Sequence, residues 1–304
     1  MQQKHFKMDR GDGNELDVYA ERFSSLAEVA EVCRARPAPN DYNFKEHDYF
    51  NETWGNSMDY GSWQGFGSKE EFDRLIRIGV EDTQAIKSLA KCALTAEVQE
   101  KDKLCRTVHD VAGGVVDVPM MLSGAPNCMV RTEKKKVRSK IINIGIQTEV
   151  IGDISADTYY RAGMVLARTI AKLEKAGYRI GIQAMTAFAS CSWTDRVVVL
   201  SAAIKKEYAP MNYSRMLMPL TMVAFDRGVG WAWLGRNPDY GSSNYGCYSS
   251  SVFEGNVKEK EEEMFAKASG LKDFIVFTHK DMIKVLREQG EEGLERYIEA
   301  RIME

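Results

Sequence analysis

The chain has 304 residues, of which 44% are hydrophobic and 28% charged, and its formal net charge at pH 7 is −3. This composition is typical of a globular protein with a buried core. The balance of charge excludes an overall basic field that would bind nucleic acid or anionic lipid, and no apolar run approaches the roughly 20 residues of a membrane span.

Cysteine usage and the N-terminal sequence both indicate the compartment. The six cysteines stand singly, with no CxxC pair and no histidine at the spacing of a structural zinc site. The first stretch, "MQQKHFKMDRGDGNELD", is polar and lacks the apolar core of a secretory signal. We therefore expect reduced thiols in a cytoplasmic protein that has no membrane partner.

Residues 1–60 are predicted to form a helical N-terminal region. Apolar residues recur at helical spacing over 14–36, and the prolines in "PAPND" end this pattern. The spacing predicts one amphipathic helix followed by a turn or linker.

A capping box marks the first helix of the predicted α/β core, residues 61–250. Ser68 is followed three residues later by Glu71, so that each side chain can accept a hydrogen bond from a backbone N–H at the start of a helix. This spacing predicts a helix over 69–78, with Gly79 at its end.

The next stretch carries residue types that occur in nucleophilic sites. Because the pattern over 81–108 is helical, we expect Cys105 and His109 on one helical turn, next to Asp110. No oxyanion element or orienting group accompanies them, and the pair of glycines that follows is too short for a phosphate-binding loop. We predict an ordered loop after this helix, and no catalytic residue in the chain.

A basic run precedes the first predicted core strand. We favour a solvated edge as its interpretation, and the alternative is a surface that contacts phosphate groups. Its members are Lys134, Lys135, Lys136, Arg138 and Lys140.

The centre of the chain predicts a sheet. Strands rich in β-branched residues are expected at 141–151, 178–184 and 195–201, and a helical pattern separates the first two. A strand, crossover helix and strand in this order normally give parallel strands covered by helices. The predicted fold class is therefore α/β, with a mostly parallel sheet flanked by helices.

The C-terminal part predicts an α/β extension, residues 251–304. Two helical patterns surround the apolar strand candidate "DFIVFT". The fold class thus includes helical N-terminal and C-terminal additions to the core.

The sequence after the first core strand resembles the metal site of a von Willebrand A domain. Asp153 and Ser155 offer a carboxylate and a hydroxyl to Mg²⁺, although Asp157 stands where the familiar pattern has a second serine. Thr186 and Asp195 are the further candidate ligands. We favour the competing interpretation, in which Ser155 caps the helix that begins there and no cofactor is needed.

Two groups of aromatic residues are candidates for partner binding. Trp63 and Phe66 lie beside glycines, where large rings either contact a partner or, as we prefer, cover the core. Tyr240 and Tyr245 belong to "RNPDYGSSNYGCYSSS", whose composition is typical of adaptable binding surfaces and equally of a connecting loop.

Three segments in order resemble an uncharacterised family of tailed-bacteriophage proteins. They are "GSWQGFGSKEEFDRLIRIG", "VDVPMMLSGAPNCM" and "YRAGMVLARTIAKLEKAGYRI", and the resemblance spans about residues 60 to 240. The residues that carry it are Trp63, Gly65, Phe66, Asp117, Pro119, Gly124, Pro126, Cys128, Met129, Arg161, Gly163, Glu174, Gly177 and Tyr178.

This resemblance implies a phage or prophage origin and the cytoplasm of a bacterial host as the place of action. It transfers no reaction, because the family has none assigned. The expected function is a non-enzymatic protein that binds a host or phage protein, inhibits a host anti-phage defence system, and forms a homo-oligomer. The alternative is a metal-dependent binding domain or enzyme that uses Asp153 and Ser155.

Overall fold

The computed structural model describes residues 1–37, 50, 65–95, 105–134, 140–149, 154–190, 193–237, 246–248 and 252–303. Ten strands lie in this part of the chain: β1 Gln2–Asp9, β2 Glu15–Phe23, β3 Cys105–Asp110, β4 Val115–Val116, β5 Met129–Lys134, β6 Ile141–Gln147, β7 Arg179–Ser190, β8 Trp193–Lys205, β9 Gly246–Tyr248 and β10 Phe274–Thr278. The α-helices are α1 Leu26–Ala35, α2 Lys69–Arg77, α3 Thr83–Thr95, α4 Val118–Leu122, α5 Ala156–Lys175, α6 Tyr213–Thr221, α7 Trp231–Leu234, α8 Val257–Ser269 and α9 His279–Met303, and a π-helix spans Phe225–Gly230.

Seven strands form the main sheet, in the order β1-β2-β8-β7-β6-β10, with β9 paired to β7. The pairs β10·β6, β6·β7 and β2·β8 are parallel, as the crossover through α5 requires for β6 and β7. The pairs β1·β2, β7·β8 and β7·β9 are antiparallel. The predicted α/β class is confirmed, and the sheet is mixed because β7 and β8 are neighbours in a hairpin.

The two faces of the sheet pack against different helices. Because successive side chains of a strand point to opposite faces, Ala184 and Phe188 of β7 lie in a cluster with α1, α2 and the π-helix. Met185 and Ala187 lie on the other face, in the cluster that contains the buried side chains of α8. The core is thus built in layers on both sides of the sheet.

The helix α5 packs closely on α6. Ser155 directly precedes the helix, and its Oγ accepts a hydrogen bond from the N–H of Thr158 at 3.2 Å, so the predicted cap is confirmed. Gly163 faces the backbone of Leu220, and a Cβ at this position would overlap that carbonyl group. The glycine therefore sets how near the two helices approach.

The N-terminal region is a strand hairpin and a helix, and the prediction of one helix over 14–36 was wrong. In β2 the residues Leu16, Val18 and Ala20 alternate into the core, and this strand pairs with β1. Ser25 then caps α1. The prediction failed because the apolar residues of β2 and α1, taken together, fall at spacings that resemble those of one helix.

The segment after α3 also departs from the prediction. The helix begins at Thr83 and is described to Thr95, whereas Cys105–Asp110 is strand β3, so Cys105 and His109 do not share a helical turn. The predicted loop contains β4, α4 and β5, and the order β3-β5-β4 makes a separate small sheet.

The C-terminal prediction is confirmed for α8, β10 and α9. Gly290 interrupts α9 with a φ of +71°, in the left-handed region that favours glycine. Among the described helices, none has both the length and the apolar character needed to cross a membrane.

Candidate functional site

The small sheet exposes apolar side chains at one end. Of the eleven large hydrophobic residues that are exposed in the described part of the chain, six lie between positions 111 and 122. Globular proteins usually keep such groups apart or bury them, so the concentration of six in one short segment makes it a candidate interaction surface. We call this surface the apolar tip, and its members are Val111, Val115, Val116, Val118, Met121 and Leu122.

The helix α4 carries three of the six residues of the apolar tip. Val118, Met121 and Leu122 have the spacing that places side chains on one face of a helix, and all three are exposed. Leu122 is the most open, with 79% of its surface accessible. In β6 of the main sheet, Ile142, Ile144 and Ile146 lie in the core, whereas the side chains described between 108 and 131 include none that is buried.

Hydrogen bonds hold the apolar tip in shape. Asp117 caps α4 by accepting from the N–H of Met120, and its other oxygen lies 2.9 Å from Nε2 of His109. The His109 contact, together with the Met120 N–H, lowers the pKa of Asp117. Asp110 pairs with Arg131 at 3.0 Å. The described acidic groups beside the apolar tip, Asp110 and Asp117, therefore have partners within the same segment.

A second unusual feature is a buried polar cluster where β6 ends beside β7. Gln147 donates from Nε2 to Glu149 at 3.1 Å and to Glu261 of α8 at 3.4 Å. Glu149 also accepts a hydrogen bond from the N–H of Ala187 at 2.7 Å. Its carboxylate thus takes the place of a backbone carbonyl oxygen of a neighbouring strand. Asp226 accepts from the hydroxyl of Thr186 at 2.7 Å. We call Gln147, Glu149, Thr186, Asp226 and Glu261 the carboxylate cluster.

Burial raises the pKa of two acids in the carboxylate cluster. The pKa of Glu149 lies well above its usual value, mainly because burial removes the carboxylate from water. The nearby charges of Glu261 and Asp226 raise this pKa further. Burial raises the pKa of Asp226 to about 7. Asp226 lies in the π-helix, a rare geometry that is frequent at functional sites, and its Oδ2 has no hydrogen-bond partner among the described residues.

His279 lies close to this cluster and is neutral. It is the first residue of α9, and its buried ring stacks on Tyr159 of α5 with the ring centroids 3.9 Å apart and lies within hydrogen-bond distance of the carbonyls of Gln147 and Leu220. Burial lowers its pKa to about 4. A neutral ring carries a single N–H, so it donates a hydrogen bond to one of these two carbonyl oxygens.

The residues predicted from sequence do not meet in one site. Phe66 is buried against Phe72 and lies close to Gly228. It therefore belongs to the core, which is the role we favoured from the sequence. Trp63, Tyr240 and Tyr245 lie outside the described residues.

The predicted metal ligands are likewise not assembled where the structure describes them. Ser155 is the cap of α5, and Thr186 bonds to Asp226. Asp195 is exposed near the start of β8, whereas Thr186 pairs with Leu200 further along that strand. Asp153 lies outside the described residues. In the part of the chain that is described, no group of three or more His, Cys, Asp or Glu side chains has the arrangement of a metal site.

Sequence reasoning missed both the apolar tip and the carboxylate cluster. The run "VVDVPMML" signalled the tip, because it places five of the six tip residues, together with Met120, in a segment predicted to be a loop. Asp226 had a weaker signal, as a single acid in the apolar stretch "MVAFDRGVGW".

Comparisons with known proteins give one match. A family described as "Domain of unknown function (DUF7192)" matches residues 6–300. No curated protein and no solved structure matches the chain. Because the match covers nearly the whole length, the chain belongs to the DUF7192 family.

Proposed function

We propose that this is a non-enzymatic protein that binds another protein through its apolar tip. The observation that carries the proposal is the exposure of six large apolar side chains within one short, internally bonded segment. Their combined exposed area is roughly 600 Å², divided between the face of α4 and the two sides of β4, since the neighbouring strand residues Val115 and Val116 point to opposite faces. Contact with a protein surface removes this area from water, which favours binding by about 25 cal/mol per Å² before the costs of association.

The biological setting is part of the proposal and rests on sequence resemblance. The motifs around Trp63, Asp117 and Gly163 resemble tailed-bacteriophage proteins. We propose that the protein acts in the cytoplasm of an infected bacterium, where the bound partner belongs to the phage or to a host defence system.

Capture from infected host cells tests the proposed function. Met121 and Met303 are matched, because they are exposed to 52% and 54% and lie on different elements. We expect Met121→Ser combined with Leu122→Ser to reduce the specifically captured protein at least tenfold, which corresponds to about 1.4 kcal/mol. Met303→Ser is expected to capture as much as the wild type.

The control for this experiment is the thermal midpoint of each variant. Exposed apolar side chains contribute little to stability, so all variants should melt with the wild type. Equal capture by the wild type and the tip variant, with both folded, contradicts the proposed function.

The alternative is a metal-dependent domain that uses Asp153 and Ser155. It has less support, because Oγ of Ser155 serves the helix cap and lies 2.8 Å from the hydroxyl of Thr158.

A further inference from the structure

We infer that the main sheet carries a binding site for a small molecule with a carboxylate or phosphate group. The site lies at the end of the sheet where β2 and β8 finish and β6 and β7 begin. It belongs to a different sheet from the apolar tip, so the inference does not depend on the proposed function. A cavity, a buried amide with unused donors, and an arginine beside that amide carry it.

A cavity of about 550 Å³ occupies this end of the sheet, a volume typical of small-molecule sites. Its wall is built from the four neighbouring strands β2, β8, β7 and β6 and from the segment that follows β8. Gly181 leaves room for a polar group of this wall, because a Cβ there would lie 2.6 Å from Oδ1 of Asn143. The cavity is therefore bounded by regular structure, and the groups that line it are held in place.

Gln183 offers two hydrogen-bond donors to the cavity. Its side chain lines the wall and is only 3% exposed. The hydroxyl of Ser201 donates to Oε1 of Gln183 at 2.7 Å, which fixes the orientation of the amide. Nε2 has no hydrogen-bond partner among the described residues. Both N–H groups of this amide are therefore available to an acceptor that enters the cavity.

Arg22 lies on the same face of the sheet as this amide. Arg22 is opposite Ser201 in the ladder of β2 and β8, and Ser201 is opposite Met185 of β7. Since Gln183 is two residues from Met185, the side chains of Arg22, Ser201 and Gln183 form a row across three strands. Arg22 is half-buried and has no ion pair in the part of the chain that is described. A guanidinium beside an amide donor suits the oxygens of a carboxylate or phosphate group.

The charge of the cavity wall favours an anion. Two of its charged side chains are already engaged: Lys205 pairs with Glu174 at 2.7 Å, and Glu28 accepts hydrogen bonds from Ser24 and from the amino group of Met1. The remaining charged side chains of the described wall are two cations and one acid, namely Arg22, Lys206 and Glu207. The wall therefore has a net positive charge.

The positive character of this region extends into an adjoining cavity of about 350 Å³. The two cavities share Ser24, Lys205 and Lys206 in their walls. The second adds Arg215, and no acid stands among its described lining residues. Both cavities therefore favour the same sign of ligand charge.

Thermal melts of the full chain test the inference, with inorganic phosphate and acetate as separate probes and sodium chloride added to equal ionic strength. We expect about 50 mM of at least one probe to raise the wild-type midpoint by about 2 °C or more, because a ligand of the folded state stabilises it by mass action. Arg22→Gln and Gln183→Leu should each lose most of this rise. Arg287→Gln removes an arginine charge from α9, outside both cavities, and should keep it.

The readout is the difference with and without probe, which a merely structural role of Arg22 would not change. A rise with acetate identifies a carboxylate site, and a rise with phosphate alone identifies a phosphate site. The inference is overturned if neither probe raises the wild-type midpoint. It is also overturned if Arg22→Gln responds as fully as Arg287→Gln, because the anion then acts by general exclusion from the protein surface or binds elsewhere. Should Gln183→Leu fail to fold, this comparison of the two arginine variants decides alone.

Discussion

Asp226 and His279 couple folding to pH in opposite directions. The pKa of Asp226 is about 7 in the folded chain against an ordinary 3.8, so the folded state keeps a proton that the unfolded state loses. Its contribution to stability therefore falls as pH rises from about 4 to about 7. The pKa of His279 is about 4 against 6.5, so its contribution is present above pH 6.5 and is lost as pH falls towards 4. Between these values the two effects oppose each other.

Replacing Asp226 separates its effect on pH-dependent stability from that of His279. Asp226→Asn keeps the shape of the side chain and removes the titration, so stability should rise with pH between about 4 and 6.5 more steeply than in the wild type. The shift of about three units in the pKa of Asp226 corresponds to about 4 kcal/mol of unfolding free energy between about pH 4 and pH 7. His279→Gln is the counterpart and should make stability fall with pH. Urea unfolding at a series of pH values measures both, and parallel curves for all three proteins would refute the assignment.

At the scale of elements, the contact between α5 and α6 depends on a missing side chain. Alanine normally stabilises a helix relative to glycine by about 1 kcal/mol. At Gly163 a Cβ would overlap the carbonyl of Leu220, which also lies 2.9 Å from Nε2 of His279. Moving this carbonyl disturbs two elements at once.

Gly163→Ala should therefore destabilise the protein despite the better helix propensity. We expect a loss of about 1 to 3 kcal/mol, the usual cost of overpacking. Ser155→Ala on the same helix is the comparison, because it removes only the cap and should cost about 0.5 to 2 kcal/mol. Thermal and urea unfolding measure both variants. A Gly163→Ala protein as stable as the wild type would show that α6 can move aside.

Elements were predictable from sequence where one pattern filled one element. The capping box at Ser68 and the β-branched run of β6 are local signals, and both gave the correct structure. The strand β2 was missed because Leu16 and Val18 alternate for only a few residues before α1 begins. The carboxylate cluster was out of reach, since packing brings Glu261 to Gln147, which also donates to Glu149, over a long separation in sequence.

At the scale of the whole molecule, stability should be independent of divalent metal. Ligands that bind only the folded state raise the melting midpoint by mass action. Because Ser155 acts as a cap, we expect equal midpoints with chelator and with millimolar Mg²⁺ or Mn²⁺. A midpoint that rises with metal in the wild type and fails to rise in Asp153→Ala would instead establish the metal-dependent alternative.

The register of the small sheet determines how freely the segment between Cys105 and Lys134 can vary in length. Cys105 and Lys134 are directly opposite each other in β3 and β5, so the segment between them leaves and returns to the rest of the chain at nearly the same point. A segment closed in this way resembles an insertion, and its length can vary without altering the spacing of its ends. Replacing this segment by one of different length would therefore leave the spacing of its ends, and with it the main sheet, unchanged.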